Sequence, residues 1–431
     1  MESLLAFGLL IGLILGGLWI QFAVAISGLV YIYLLNGFGG FRALGLVSWG
    51  SANSFTLAAI PLFVLMAEIL LGSGLSGRLY NGVAPFVRRL PGGLLHTNIA
   101  GSGIFAAISG GSAPTAAAMS TVAVPELAKR GYDRSLVAGS LAAGGTLGIL
   151  IPPSITMIIY ATFTETSIAR LFAAGLFPGI MLALIYSGYI IVRALMNPAM
   201  TPTVTERATW GDLGRALLDI VPFLLLVIVV LGSIYGGLAT PTEAGAVGVV
   251  GATLIAALYG KLTLSLLTDS LSRCLSMSGN ILFVVFASLI FAYATALSGA
   301  GEALVGVLED ANLSRTTFLL AIMVVFAILG CFMEGLGMIA IIVPILLPAL
   351  IALEVDPVWF GVFVVILVEL GQITPPLGVI LFVVASATSD LKVETVIKGV
   401  LPFFLLILGF ILILIAFPQI ALWFPSFLFD G

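Results

Sequence analysis

Apolar runs of about 20 residues, the length that crosses a bilayer as helix, follow one another along nearly the whole chain, parted by short polar or glycine-rich breaks. Apolar and polar positions do not alternate, so a membrane β-barrel is not the reading. Residues 3–35 are apolar for longer than one span requires, and Gly16–Gly17 predicts two short helices meeting midway. A glycine-rich polar patch covers 36–55, and a span runs from about Ile60 to Leu71. Arg78, Arg88 and Arg89 then lie among Leu, Val and Phe over 75–90, the pattern of a helix lying along the interface.

Two later stretches are apolar but cannot be plain helix. Ser109-Gly-Gly-Ser-Ala-Pro-Thr115 favours open backbone, and Pro152–Pro153 removes two amide donors in a row. The stretch around 94–128 has basic residues at both ends and a broken middle, which predicts a re-entrant hairpin; 133–163 reads as a span broken at the proline pair. A short amphipathic piece at Ile168–Phe172 leads to a span at 174–195. Residues 197–214 form the only long polar linker, predicted cytoplasmic.

Beyond the linker the plan repeats: spans at 216–235 and 241–259, an amphipathic link with Lys261 and Arg273, a span at 279–297, a hairpin at about 316–350 around Glu334–Gly337, a broken helix at about 357–386 around Pro375–Pro376, and a last span at 399–418. Pro125 and Pro348, Asp133 and Asp356, Gly148 and Gly371, and the two proline pairs all stand 223 residues apart. The prediction is an all-α polytopic membrane protein with two repeats, 1–196 and 215–431, each of five spans and one hairpin. An odd number of spans inverts the second repeat. With both termini outside, thirteen Lys and Arg fall on the cytoplasmic side and three, Arg42, Arg170 and Arg315, outside.

Composition agrees: 61% hydrophobic, 8% charged, mean hydropathy +1.25. The net charge of −4 does not suit nucleic acid, and the two cysteines suggest no disulfide framework. A lone histidine, His96, excludes a histidine metal cage, so no transition metal and no catalytic residue is expected; His96 itself reads as interfacial. No phosphate-binding G-x-x-x-x-G-K-[ST] loop and no G-x-S-x-G elbow is present.

Broken backbone at bilayer depth survives only when buried in protein or lining a watery cavity. Freed carbonyls and serine hydroxyls there are hard oxygen ligands suited to Na⁺. Close packing explains small residues but not two Pro–Pro breaks. Among the intramembrane acids, Glu334 sits at the second tip, Glu243 fits a capping box with Thr240, and Glu68 and Glu369 lie within spans with no role assigned.

The run ISGGSAPTAAA (108–118), Glu126 through Gly131–Tyr132, IPPS (151–154), GGLATPTEAGAVG (236–248), GCFMEGLGMIAIIVPILLP (330–348) and DPVWFGV with GQITPPLG (356–378) together resemble the large membrane subunit of TRAP transporters, the tripartite ATP-independent periplasmic family. The resemblance implies an elevator with scaffold and transport domains in the bacterial inner membrane. It implies Na⁺ as coupling ion with no other cofactor, a separate small four-helix membrane subunit, a periplasmic substrate-binding protein, and an organic anion as substrate. Carried onto this chain, it puts one Na⁺ at Ser109, Gly111, Ser112, Gly148 and Ile151, and a second at Glu334, Gly335, Gly337, Gly371 and Thr374. It puts substrate near Thr115, Ser154 and Thr374. A stand-alone Na⁺/dicarboxylate symporter of related fold is the alternative; a channel or an intramembrane enzyme fits less well.

Overall fold

The structure is a computed structural model that describes residues 2–202, 209–331, 333–388 and 391–430. Among the described residues it is helical, with no strand. Helices α1 (Glu2–Leu15) and α2 (Ile20–Asn36) meet at Gly16–Gly17, where Gly17 takes φ 83°. The patch at 36–55 is more ordered than its composition predicts: a 3₁₀ stretch (Gly37–Ala43) runs into α3 (Leu44–Ala52). Helix α4 (Ala59–Gly72) turns by 79° into α5 (Ser76–Val87). Gly74 makes the corner at φ 70°.

The first hairpin is α6 (Leu95–Ser109) and α7 (Ser112–Lys129). Helix α8 (Arg134–Thr146) is capped by Asp133, whose carboxylate accepts from the Leu136 amide, and continues as one 3₁₀ turn to Ile149 before the break; α9 (Ile155–Thr164) resumes beyond it. The short piece and span expected at 168–195 are one continuous helix, α10 (Ile168–Met196). His96 is buried in the protein, where its Nε2 lies 2.8 Å from the Pro91 carbonyl.

The linker is shorter than predicted, because α11 (Trp210–Tyr235) starts inside it. Thr209 and Asp212 form a reciprocal capping box that nucleates this helix. Arg207, counted above as cytoplasmic, lies outside the described residues. Thr240 and Glu243 form a second box at the start of α12 (Pro241–Leu258), as the sequence predicts. The amphipathic link and span expected over 261–297 are a single 34-residue helix, α13 (Leu264–Leu297), with Arg273 inside it. Helix α14 (Ala300–Asp310) was not predicted. The second hairpin is α15 (Arg315–Leu329) and α16 (Gly335–Ala352), followed by the broken pair α17 (Pro357–Gln372) and α18 (Val379–Ser386). Helix α19 (Val393–Ala416) is the last span, and α20 (Gln419–Phe429), also unpredicted, folds back onto α10.

Seven described helices are long and apolar enough to cross a membrane, or eight if the bent α4–α5 pair counts as one span. The broken pairs are built from helices of 13 and 10 residues and of 16 and 8 residues. At about 1.5 Å per residue, none of the four spans a bilayer alone.

Packing explains the glycines that matter. A Cβ on Gly139 would overlap the Gly399 carbonyl, and one on Gly399 would overlap the Ser135 carbonyl, so α8 and α19 touch backbone to backbone. Gly28 lets α2 lie against Phe291 of α13, and Gly248 lets α12 lie against Met66 of α4. Helix α17 is buried all round, from Val358 to Gly371. Outward faces such as Leu218, Leu225 and Ile228 of α11 and Leu401 and Leu405 of α19 are exposed and apolar, as a lipid-facing surface must be.

Candidate functional site

Each hairpin tip is built by a change of backbone conformation that the local sequence forces. Helix α6 ends where Gly110 adopts the left-handed conformation (φ 60°, ψ 11°), and Gly111 is extended. The Gly111 carbonyl then accepts from the Thr115 hydroxyl at 2.8 Å and the Ser109 hydroxyl at 3.3 Å, and the two hydroxyls lie 2.5 Å apart. The Ser112 hydroxyl donates to the Thr146 carbonyl at 3.4 Å.

This tip rests directly on the first break. The Ile155 amide donates to the Gly110 carbonyl at 3.2 Å. Gly148 has no room for a side chain: a Cβ there would overlap the Gly111 carbonyl and lie 2.7 Å from Thr115 Oγ1. Ser154 caps α9, donating to the Ile149 carbonyl and accepting from the Met157 amide. Ile151 packs against Gly103 and Gly179.

The second tip is similar in plan. Glu334 occupies the cap position of α16 with extended backbone, and its carboxylate makes no capping hydrogen bond. Gly330 lies against Gly371, and Gly335 against Val368 and Gln372, so this tip also rests on its break. Gly337 faces Ile20 of α2 instead. The Thr374 hydroxyl donates to the Leu370 carbonyl at 2.6 Å. Both proline pairs, Pro152–Pro153 and Pro375–Pro376, have a cis bond.

Both tips reach one cavity of about 380 Å³. It is lined by Trp19 at the cap of α2, Gln21 of α2, Val64, Ala67 and Glu68 of α4, and Met277, Asn280, Ile281 and Val284 of α13. Ser109 to Pro114, Ile149, Ile155, Thr156, Glu334, Leu336, Gln372, Val379 and Ile380 complete the lining. Of the residues singled out in the sequence, Ser109, Gly111, Ser112 and Glu334 line it. Thr115, Gly148, Ile151, Ser154, Gly335, Gly337, Gly371 and Thr374 are not on its wall; the hydroxyls of Thr115, Ser154 and Thr374 are engaged within the tips and breaks.

The sequence reading missed Gln21, Thr156, Asn280 and Gln372. The amides of Gln21 and Asn280 inside long apolar helices were the available signal, since a polar side chain at bilayer depth needs a partner or a cavity. Glu68 also reaches the cavity, and Arg273 Nε donates to its Oε2 at 2.8 Å. Ser270 of the same helix donates to the Glu68 carbonyl at 3.2 Å. Glu369 lies away from the cavity, fully buried on α17, with neither carboxylate oxygen hydrogen-bonded among the described residues.

The family model described as "Tripartite ATP-independent periplasmic transporter, DctM component" matches residues 7–420. The chain is 34% identical over 409 residues to the C4-dicarboxylate TRAP transporter large permease protein DctM of Pseudomonas aeruginosa, covering 94% of each chain. It is 30% identical over 425 residues to the sialic acid TRAP transporter large permease protein SiaM of Vibrio cholerae, covering 98% of this chain and 97% of that one. Its fold is similar to the crystal structure of the YdaH transporter of Alcanivorax borkumensis, with a TM-score of 0.66 at 16% identity over 90% of this chain and 91% of that one.

Proposed function

Because the chain belongs to the DctM component family of the tripartite ATP-independent periplasmic transporters, and is therefore a membrane transport component and not an enzyme, we propose that it carries out Na⁺-driven uptake of an organic acid. The observation that supports this best is the convergence of two broken-backbone tips on one cavity. In this reading the solute occupies that cavity. One Na⁺ is held behind the first tip by oxygens of Ser109, Gly111, Ser112, Gly148 and Ile151, and a second behind the other tip, by Glu334, Gly335, Gly337, Gly371 and Thr374. Thr115, Ser154 and Thr374 act on the solute from behind the cavity wall by fixing the backbone that faces it.

The energetics favour such coupling. Two Na⁺ entering with a monoanion carry net positive charge inward, and the membrane potential contributes about 2.3 kcal/mol per charge per 100 mV. The hairpins and broken helices move together as the transport domain of an elevator; α2, α4 and α13 belong to the scaffold. The repeats at 1–196 and 215–431 are inverted about the 197–214 linker, with both termini on the periplasmic side of the bacterial inner membrane. A periplasmic binding protein delivers the solute, and a small four-helix membrane subunit completes the complex, as the word tripartite implies.

Enlarging Ser112 tests the site. Ser112→Phe is expected to abolish solute uptake by the complete transporter while the protein still reaches the membrane. Undiminished uptake by that variant rules out the cavity as the solute site.

A further inference from the structure

We infer that Glu369, Tyr186 and Thr146 couple the two ion-binding breaks through the interior of the protein, so that Na⁺ at one raises the affinity of the other; the inference rests on the transport reading above and adds positioning residues to it. Thr146 and Glu369 stand 223 residues apart, as the two proline pairs do. Each lies two residues before the glycine of its break, Gly148 or Gly371. Both are fully buried and away from the cavity.

Each is tied through its backbone to a hydrogen bond that holds a break. The Thr146 carbonyl accepts from the Ser112 hydroxyl of the first tip at 3.4 Å. The carbonyl of Leu370, next along from Glu369, accepts from the Thr374 hydroxyl, beside the second proline pair, at 2.6 Å. Helix α17 packs directly on the 3₁₀ turn Leu147–Ile149 that carries Gly148. A displacement at either break therefore reaches the other without crossing the cavity.

Tyr186 of α10 completes the link. Its ring is fully buried and edge-on to Phe403 of α19, with centroids 5.5 Å apart. Its hydroxyl lies beside Thr146 and within electrostatic reach of the Glu369 carboxyl. That hydroxyl and both Glu369 carboxyl oxygens have no hydrogen-bond partner among the described residues. A buried donor and a buried acceptor left unpaired are each unfavourable, and here each is the partner the other lacks. A carboxyl kept only to stabilise the fold would carry a bond within it. A carboxyl accepts from a phenol whether or not it is ionised, so the link requires no proton to move. Its closure depends on how α8, α10 and α17 sit together. An ion that seats one break therefore changes the cost of seating the other, which is positive coupling between the sites.

The test is the equilibrium binding isotherm of radiolabelled Na⁺ on the purified full chain. The wild-type Hill coefficient is expected at about 2, the ceiling for two coupled sites, and Tyr186→Phe is expected to lower it to about 1. That substitution keeps the ring against Phe403 and deletes a hydroxyl that no bond holds, so its melting temperature is expected to match wild type. Glu369→Gln keeps an acceptor for the phenol and is expected to keep the wild-type coefficient. Glu369→Leu removes the acceptor and is expected to behave as Tyr186→Phe does. An unchanged coefficient in Tyr186→Phe, or a wild-type coefficient of about 1, overturns this inference and leaves the transport reading standing. Absence of saturable Na⁺ binding by the wild-type chain counts against both.

Discussion

Gly148 stands against Gly111: the helical turn before the first proline pair meets the carbonyl of the hairpin tip with no space for a single methyl group between them. The Ile155-to-Gly110 hydrogen bond closes the other side of the same contact. Hairpin and broken helix are thereby one rigid piece, and the cavity wall they form is set by backbone geometry more than by any charged side chain.

Gly148→Ala is expected to force that contact apart. Overpacking of a close-fitting interior typically destabilises by about 1–3 kcal/mol, and the displaced tip carries Ser109, Gly111 and Ser112 with it. Thermal unfolding of the purified variant, compared with Gly188→Ala on α10, checks this. A Cβ on Gly188 meets nothing within 4 Å, so that control is expected to be neutral or more stable by up to about 1 kcal/mol, the helix propensity difference.

Arg273 and Glu68 join α13 to α4 at the cavity's edge. Glu68 is buried while the Arg273 side chain is 53% exposed, so the two removals are not symmetrical. Arg273→Ala leaves a buried carboxylate uncompensated and is expected to destabilise by about 1–3 kcal/mol. Adding Glu68→Gln to it removes the stranded charge and is expected to recover part of the loss. A double-mutant cycle on melting temperature measures the coupling; additive effects contradict a functional pair.

The Thr240–Glu243 box predicts a smaller, purely local effect. Thr240→Ala removes the hydroxyl that accepts from the Glu243 amide at 3.3 Å and is expected to reduce stability by about 1 kcal/mol, as loss of a cap typically does. Thr240→Ser keeps the oxygen and is expected to retain most of it. Comparison of the two melting curves decides whether the box acts through the cap.

What the sequence discloses and what it hides have separable causes. Breaks are legible because Pro–Pro and Gly–Gly act on the backbone locally: the chain leaves the helix at Gly110 and at Gly16–Gly17 as written. The 34-residue α13 is not legible, because Arg273 looks like an interfacial charge until Glu68, 205 residues away, is known to hold it. The early start of α11 was hidden by polar composition, although Thr209 and Asp212 have the spacing of a cap. At the site, the tips followed from local chemistry. Gln21, Asn280 and Gln372 did not, since only the tertiary arrangement puts three separate amides on one cavity.

The central claim is that Na⁺ drives solute through the cavity between the two tips. Its most direct test is uptake of labelled solute into proteoliposomes holding the complete transporter, with an inward Na⁺ gradient and with Na⁺ replaced by K⁺ at equal ionic strength. The account predicts concentrative uptake with Na⁺, faster when the vesicle interior is negative, and only background with K⁺. Equal uptake in the two media contradicts it.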